Sequence, residues 1–183
     1  GALVVKEAVR RAKIDQLDSI QEVIMGNVVS AGLGQNPARQ AAIFAELPVR
    51  VGAFTINKVC GSGLKAVMLA GQNIRVGEGN LFVAGGMESM SRAPFLVEGR
   101  TGGLRFGHVE MKDALLHDGL WDPFEDWEMG KAAEFIAQEY DISLEEMDSY
   151  AYGSHQKALR AMDAGSFQEE ILPIEIPGRK AAL

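Results

Sequence analysis

Short apolar runs alternate with amphipathic segments along the first 90 residues of the chain. Apolar positions recur at helical spacing over residues 2–14, which predicts an amphipathic helix. The runs at 22–29 and 51–59 are short and rich in β-branched residues, as is typical of buried strands. Between them an Asn-Pro pair, a favourable N-cap and first-turn combination, predicts a helix over 36–47.

The same alternation continues to residue 90. A third helix is predicted over 62–76, and Gly77 is a suitable residue to end it. Five of its positions fall on one face, and they are Leu64, Val67, Met68, Gly71 and Ile74. A strand over 81–84 follows. Helices that alternate with short strands predict an α/β fold around a mixed, mainly parallel sheet with right-handed crossovers.

The pattern changes near residue 90, so we divide the chain at that point into residues 1–90 and 91–183. The stretch that follows shows little strand-like alternation. Ser143 and a glutamate three residues later form a capping-box signature, which predicts a helix ending near Gly165. Residues 171–176 are predicted to form a final strand. Because the chain begins without Met inside a helical pattern, we expect an earlier strand to be missing.

Composition and charge narrow the classes of partner. The 183 residues are 47% hydrophobic and 23% charged, with a net charge of −7. An acidic chain without a basic run does not favour nucleic-acid binding, and no apolar stretch is long enough to predict a membrane span. The single cysteine predicts a reducing compartment, and with no signal peptide evident at the N-terminus we predict a cytoplasmic protein.

Cys60 is the strongest candidate for chemistry. It stands where a predicted strand turns into a helix, between Val59 and Gly61. Free backbone N–H groups and the positive end of the helix dipole favour a thiolate at such a position. Gly61 and Gly63 allow a sharp turn and leave room for a substrate, and the N–H groups would hold an oxyanion formed on a thioester carbonyl. A buried structural cysteine is the alternative interpretation.

The sequence also bears on two other kinds of site, a dinucleotide-binding site and a metal site. Residues 61–66 also fit the G-x-G-x-x-A fingerprint of dinucleotide-binding oxidoreductases. Against that interpretation, the strand over 81–84 ends in two glycines where a ribose-binding acid is expected, and Glu88 lies too far along. The three histidines share no helix face or tight turn with one another, so no metal site is predicted. They are His108, His117 and His155.

Several stretches, taken together, resemble the thiolase family. They are Gly34–Gln40, Ile56–Leu64 and Gly85–Ser91, with Met129-Gly130 and Gly178–Lys180 following in the same order. The resemblance implies acyl exchange between Coenzyme A and a cysteine, either condensing two acetyl-CoA to acetoacetyl-CoA or cleaving 3-ketoacyl-CoA. It therefore implies a role in fatty acid metabolism, with the CoA thioester as substrate and no permanently bound cofactor.

The resemblance also implies roles for particular residues. Cys60 matches the cysteine that becomes acylated, and its backbone N–H would contribute to an oxyanion hole. Asn57 and the segment Gly61–Gly63 would shape the elbow around it. Leu120 and Met129 match positions that line the CoA channel. Glu128, beside Met129, stands where biosynthetic members often carry histidine.

The architecture implied by the resemblance is two similar α/β domains, with a CoA-binding loop domain inserted in the first. Residues 1–90 would be an incomplete N-terminal domain and 91–183 part of the loop domain. The segment 102–110 resembles the loop through which biosynthetic thiolases form tetramers, so a homo-oligomer, dimer or tetramer, is expected. The resemblance also implies an activating histidine, a second cysteine and a C-terminal domain, which we expect to lie outside this sequence. The chain alone is therefore expected to be inactive, and a non-catalytic CoA- or partner-binding fragment is the alternative.

Overall fold

A computed structural model describes residues 1–99 and 106–176 of the chain. Helices and strands alternate through the first part of the described residues, as the sequence pattern predicts. The elements are α1 (Ala2–Arg11), β1 (Glu22–Gly26), α2 (Pro37–Phe44), β2 (Gly52–Ile56), α3 (Ser62–Val76), β3 (Phe82–Gly86), β4 (Phe95–Leu96), β5 (Lys112–Asp113), β6 (Trp121–Asp122), β7 (Trp127–Glu128), α4 (Met129–Glu139) and α5 (Leu144–Asp163).

The first three strands form a parallel sheet in the order β2-β1-β3. Val23 at the centre of the sheet is in register with Ala53 on one side and Val83 on the other. The crossovers contain α2 and α3, which confirms the predicted α/β fold with a mainly parallel sheet. Because the strands are parallel, their carboxyl ends meet at one edge, where such sheets commonly place a ligand site.

The central strand β1 is buried on both faces. Val23 and Met25 pack in a cluster with α1 and α2, whereas Ile24 packs with Ala66 and Ala70 of α3. Successive side chains of a strand point to opposite faces, so this alternation places helices on both sides of the sheet. A strand covered on both faces needs an almost continuous apolar sequence, which is the pattern seen at 22–29.

Helix α3 packs on the sheet through its small residues. Ser62, Ala66 and Ala70 are its buried positions. The larger apolar side chains that share the other face are instead exposed, and they are Leu64, Val67, Met68 and Ile74. The helical period therefore predicted the element and its bounds, but the largest side chains do not mark the face that packs on the sheet. Small side chains do, because they let the helix axis approach the strands closely.

The approach of α3 to β1 is closest at Gly26, the last residue of the strand. A Cβ atom on Gly26 would lie 2.6 Å from the carbonyl carbon of Ser62 and 2.7 Å from the backbone nitrogen of Gly63. Both are main-chain atoms that no rotamer change can move. The sequence therefore requires glycine at the end of β1 if the first turn of α3 is to rest on it.

The first two strands end earlier than periodicity predicts, and β3 begins one residue later and ends two residues later. β1 stops at Gly26 because the N–H groups of Val28 and Val29 donate to the side chain of Glu88. β2 stops at Ile56, where the chain turns toward α3.

The predicted strand over 171–176 is wrong. This segment has no regular secondary structure, and its isoleucines Ile171, Ile174 and Ile176 are exposed. Pro173 interrupts the apolar alternation and lacks the N–H group that a strand donates to its neighbour. Helix α4, in contrast, is not among the elements that the sequence pattern predicted.

The chain forms two compact units, Gly1–Glu128 and Met129–Leu183. The first unit thus extends beyond the boundary predicted at residue 90, and the assignment of 91–183 to a CoA-binding loop domain stays a prediction. The second unit contains α4 and α5. The predicted tetramerisation loop at 102–110 lies partly, and the motif at 178–180 wholly, outside the described residues.

The capping box at the start of α5 is confirmed. The Ser143 hydroxyl accepts the backbone N–H of Glu146 at 3.2 Å, and the Glu146 carboxylate accepts the backbone N–H of Ser143 at 2.9 Å. These hydrogen bonds to Ser143 lower the pKa of the Glu146 carboxyl group below its ordinary value. Gly165, with φ of 69°, follows the end of the helix as expected.

Two glycine substitutions test the close packing of α3. We expect Gly26→Ala to lower the free energy of unfolding by about 1–3 kcal/mol, because the new methyl group displaces the backbone of the helix. Gly71→Ala is the matched control, since a Cβ there meets no atom within 4 Å. In the middle of a helix that change should stabilise by up to about 1 kcal/mol. Urea unfolding measures both, and equal effects would contradict the packing argument.

Candidate active site

Cys60 lies in the tight turn that joins β2 to α3, and its side chain is exposed. The residue before it, Val59, has φ of 48°, in the left-handed region that β-branched residues rarely adopt. Gly61, the N-cap residue of α3, has φ of −89°. The sharp change of direction therefore falls on Val59 rather than on the neighbouring glycine. A residue held in such a conformation costs about 1–3 kcal/mol, which the surrounding structure must offset.

The side chain of Ser62 holds this elbow. Ser62 is 5% exposed, and its hydroxyl donates to the carbonyl oxygen of Val59 at 2.6 Å while accepting the N–H of Lys58 at 2.8 Å. Asn57 adds a third bond, because its Oδ1 accepts the N–H of Val59 at 2.9 Å. The strained residue is thus bound at both its N–H and its carbonyl oxygen. Cys60 follows it immediately and is fixed at the start of the helix.

The elbow forms part of a cleft of about 410 Å³ at the carboxyl edge of the sheet. Its walls come from the ends of β1 and β3, the first turn of α3 and the segment before β6. The lining residues are Gly26, Asn27, Val28, Val29, Val59, Cys60, Ser62, Gly63, Gly86, Met87, Glu88, Met90, Leu115, Gly119 and Leu120. Most of these side chains are apolar, so the cleft is suited to a small apolar group attached to a polar carrier.

The structure brings several of the predicted site residues together. Cys60, Gly63 and Leu120 line the same cleft, although Leu120 lies 60 residues further along the chain. Asn57 stands behind the elbow and shapes it through its bond to the backbone. Met129 is the first residue of α4 and belongs to the second compact unit. The roles predicted for Leu120 and Met129 in binding CoA stay predictions.

Gly63 lies close to two other glycines at the edge of the cleft, although a Cβ on Gly63 itself would meet only the carbonyl oxygen of Gly85, at 4.0 Å. A Cβ on Gly86, at the end of β3, would lie 3.5 Å from the Cα of Gly63 and 3.4 Å from the carbonyl oxygen of Gly26. Three glycines thus meet where α3 begins and where β1 and β3 end. Their lack of side chains keeps the first-turn N–H groups of α3 beside the cleft, where they can stabilise negative charge on a bound carbonyl oxygen.

The ends of β1 and β3 are joined by a hydrogen-bond network that sequence reasoning missed. The Glu88 carboxylate accepts the N–H groups of Val28 at 2.9 Å and Val29 at 3.2 Å. It also accepts Nδ2 of Asn27 at 2.9 Å, and the same amide group donates to the carbonyl oxygen of Met87. Asn27 is 3% exposed, and its Oδ1 is buried without a hydrogen-bond partner within residues 1–99 and 106–176. The hydrogen bonds that its Nδ2 group donates therefore hold the Asn27 side chain in place.

The segment that carries Leu120 into the cleft is a π-helix over Leu116–Leu120. Such helices are rare and are found often at functional sites. Gly119 lies against the wall formed by the end of β1, since a Cβ there would be 3.3 Å from Cγ2 of Val29. Irregular helical geometry gives no apolar periodicity, which explains why the sequence pattern did not reveal this element.

Over 1–99 and 106–176, no group of three or more His, Cys, Asp or Glu side chains is arranged to hold a metal ion. Over the same ranges, no helix combines the length and apolar character that crossing a membrane requires.

A parallel α/β sheet with an exposed cysteine at a strained strand-to-helix elbow is the arrangement of a class of proteins in which such a cysteine can serve as a nucleophile. The comparison with protein families identifies the class. The family model described as "Thiolase, N-terminal domain" matches residues 1–182. The chain therefore belongs to the thiolase family, which confirms the resemblance drawn from its motifs.

Curated relatives agree with this assignment. The chain is 50% identical over 180 residues to an acetyl-CoA acetyltransferase of Pseudomonas aeruginosa, covering 98% of this chain and 46% of that protein. It is 52% identical over 180 residues to an acetyl-CoA acetyltransferase of Cupriavidus necator, with the same coverage. The chain thus spans about half the length of the curated relatives it matches.

Solved structures show the same fold. An Ascaris suum thiolase in complex with coenzyme A matches with a TM-score of 0.86 and 45% identity, over 93% of this chain and 44% of that one. The acetyl-CoA acetyltransferase of Bacillus anthracis matches with a TM-score of 0.90 and 36% identity, over 98% of this chain and 45% of that one. These findings favour a thiolase motif over a dinucleotide-binding fingerprint as the interpretation of residues 61–66.

The Ser62 hydroxyl provides a test of the elbow. We expect Ser62→Ala to lower the free energy of unfolding by about 1–3 kcal/mol, because the N–H of Lys58 loses its buried partner. Val59 is then free to relax, so alkylation of Cys60 by iodoacetamide should slow about tenfold. Peptide mapping by mass spectrometry follows Cys60 alone.

Ser154→Ala, on the exposed surface of α5, is the control for that substitution. It should change the free energy of unfolding by less than about 0.5 kcal/mol and leave the alkylation rate unchanged within experimental error. If Cys60 is alkylated as fast in the Ser62→Ala protein as in the wild type, the Ser62 hydroxyl does not hold Cys60 in place.

Proposed function

We propose that the whole protein transfers acyl groups between Coenzyme A and Cys60, condensing two acetyl-CoA to acetoacetyl-CoA or catalysing the reverse thiolysis of 3-ketoacyl-CoA. One observation carries the proposal: an exposed cysteine in the turn just before α3 lines a cleft that is mainly apolar. The names of the relatives, acetyl-CoA acetyltransferases, support the same chemistry. CoA is a substrate in this reaction and not a resident cofactor.

The proposed first step is a transthioesterification. The Cys60 sulfur attacks the carbonyl carbon of the acyl-CoA thioester, and a bond forms between Sγ and that carbon. Negative charge develops on the carbonyl oxygen, which the N–H groups at the start of α3 are placed to stabilise. The bond from the carbonyl carbon to the CoA sulfur then breaks. The proton of the Cys60 thiol ends on the CoA sulfur, so the products are acyl-Cys60 and free CoA.

We propose that Leu120 and Met129 contact the bound CoA. Leu120 is 42% exposed in the cleft that contains Cys60, so an apolar part of the substrate would cover it. A structurally similar thiolase was solved in complex with coenzyme A, which supports CoA as the carrier. Asn57, Gly61 and Gly63 are proposed to maintain the elbow and one oxyanion hole rather than to bind the carrier.

The chain spans about half the length of its curated relatives, so the assembly, the metabolic role and the location below are proposed for the whole protein. We propose a homo-oligomer, dimer or tetramer, which sedimentation of the full-length protein would test; a monomer would contradict it. The place in fatty acid metabolism follows from the thiolysis reaction. A cytoplasmic location rests on the use of a single cysteine, which is typical of reducing compartments.

Substitution of Cys60 tests the proposed activity directly. The full-length wild-type protein, incubated with acetyl-CoA, should gain the mass of one acetyl group on the peptide that contains Cys60. Cys60→Ala should gain none and should lose turnover by a factor of about a thousand or more, because the covalent intermediate can no longer form. An acetylated Cys60→Ala protein, or one that retains turnover, would show that another residue carries the acyl group.

A further inference from the structure

Glu88 is the only charged side chain among the described residues that line the cleft. Its carboxylate is fully engaged with the protein, since both oxygens accept N–H groups from the end of β1. Such charge-assisted hydrogen bonds are stronger than neutral ones. The carboxylate is therefore placed to hold a wall of the cleft rather than to take part in the reaction.

The wall that Glu88 holds includes Val29. Oε1 of Glu88 accepts the Val29 N–H at 3.2 Å, and the Val29 side chain is buried, with the residue 6% exposed. That side chain reaches the π-helix, where its Cγ2 would lie 3.3 Å from a Cβ on Gly119. Leu120 is the next residue and lines the cleft. A continuous set of contacts thus joins the Glu88 carboxylate to the apolar part of the cleft.

Asn27 strengthens this link. Its Nδ2 group donates to Glu88 and to the carbonyl oxygen of Met87, and its backbone N–H donates to the carbonyl oxygen of Ile56. The side chain keeps this orientation even though its Oδ1 is buried with no partner among the described residues. The carboxylate of Glu88 and the ends of all three strands are consequently held as one unit.

We propose that Glu88 is a positioning residue that sets the acyl-chain selectivity of Cys60, because it fixes Val29 against Gly119 and thereby limits the width of the apolar cleft. The proposal rests on the function proposed above, the acylation of Cys60 by acyl-CoA. One methylene in an apolar pocket changes selectivity by about 10- to 200-fold, so a small movement of this wall is sufficient to alter which chains are accepted.

The test compares the acylation of Cys60 by acetyl-CoA and by butanoyl-CoA in the full-length protein, followed by mass spectrometry. In Glu88→Ala the ratio of the acetyl rate to the butanoyl rate should fall about tenfold, because the wall is released and the longer chain is admitted. Glu88→Gln should show a smaller fall, since one oxygen remains for Asn27 and Val29. Glu78→Ala, which changes a carboxylate after α3 outside the cleft, should leave the ratio unchanged.

Two further variants alter the same wall without touching Glu88. Val29→Ala should lower the ratio of acetyl to butanoyl acylation, whereas Gly119→Ala, which crowds Val29, should raise it. If Glu88 acts through Val29, the double variant Glu88→Ala/Val29→Ala should show no lower ratio than the more affected single variant. These variants keep the proposal testable if Glu88→Ala does not fold.

The outcomes separate this inference from the function on which it rests. If Glu88→Ala slows both acylations equally, Glu88 has only a structural role and the proposal is overturned. It is overturned as well if the effects of Glu88→Ala and Val29→Ala on the ratio simply multiply. A wild-type protein that neither acyl-CoA acylates at Cys60 would instead refute the proposed function itself.

Discussion

The close contact between the end of β1 and the first turn of α3 is the constraint on which the rest of the site depends. Gly26 has no room for a side chain, because the backbone of Ser62 and Gly63 occupies that space. Small residues along α3 continue the contact down the helix. This packing places the positive end of the helix at the carboxyl edge of the sheet. Cys60 then stands just before the N-terminal end of α3 as a consequence of packing.

Strain at the elbow is balanced by side chains that lie outside the reaction. Val59 adopts a conformation that a β-branched residue avoids, and the bonds from Ser62 and Asn57 hold it there. The same arrangement recurs on the other wall, where Asn27 and Glu88 bind backbone groups of the strand ends. In both places a polar side chain holds main-chain atoms in position, so Cys60 and the cleft beside it lie in a rigid part of the structure.

Much of this fold was predictable from the sequence. The bounds of α3, the N-cap of α5 and the order of helices and strands over residues 1–90 follow from periodicity and capping, which are local properties. The motif around Cys60 was also recognised, since a strand-to-helix turn with flanking glycines is visible in the chain itself. The strand predicted over 171–176 is wrong because Pro173 lacks the N–H group that a strand donates to its neighbour, and an apolar pattern by itself does not place a second strand beside the segment.

The sequence by itself determined the family, the cysteine that is proposed as the nucleophile and the alternation of elements over residues 1–90, because these depend on residues that are close together in the chain. Only the tertiary structure decided which face of α3 packs on the sheet, that Glu88 binds the end of β1, and that Leu120 shares a cleft with Cys60. The physical reason is distance along the chain. Glu88 and Val28 are separated by 60 residues, and neither local propensity nor periodicity carries information about hydrogen bonds over such a separation.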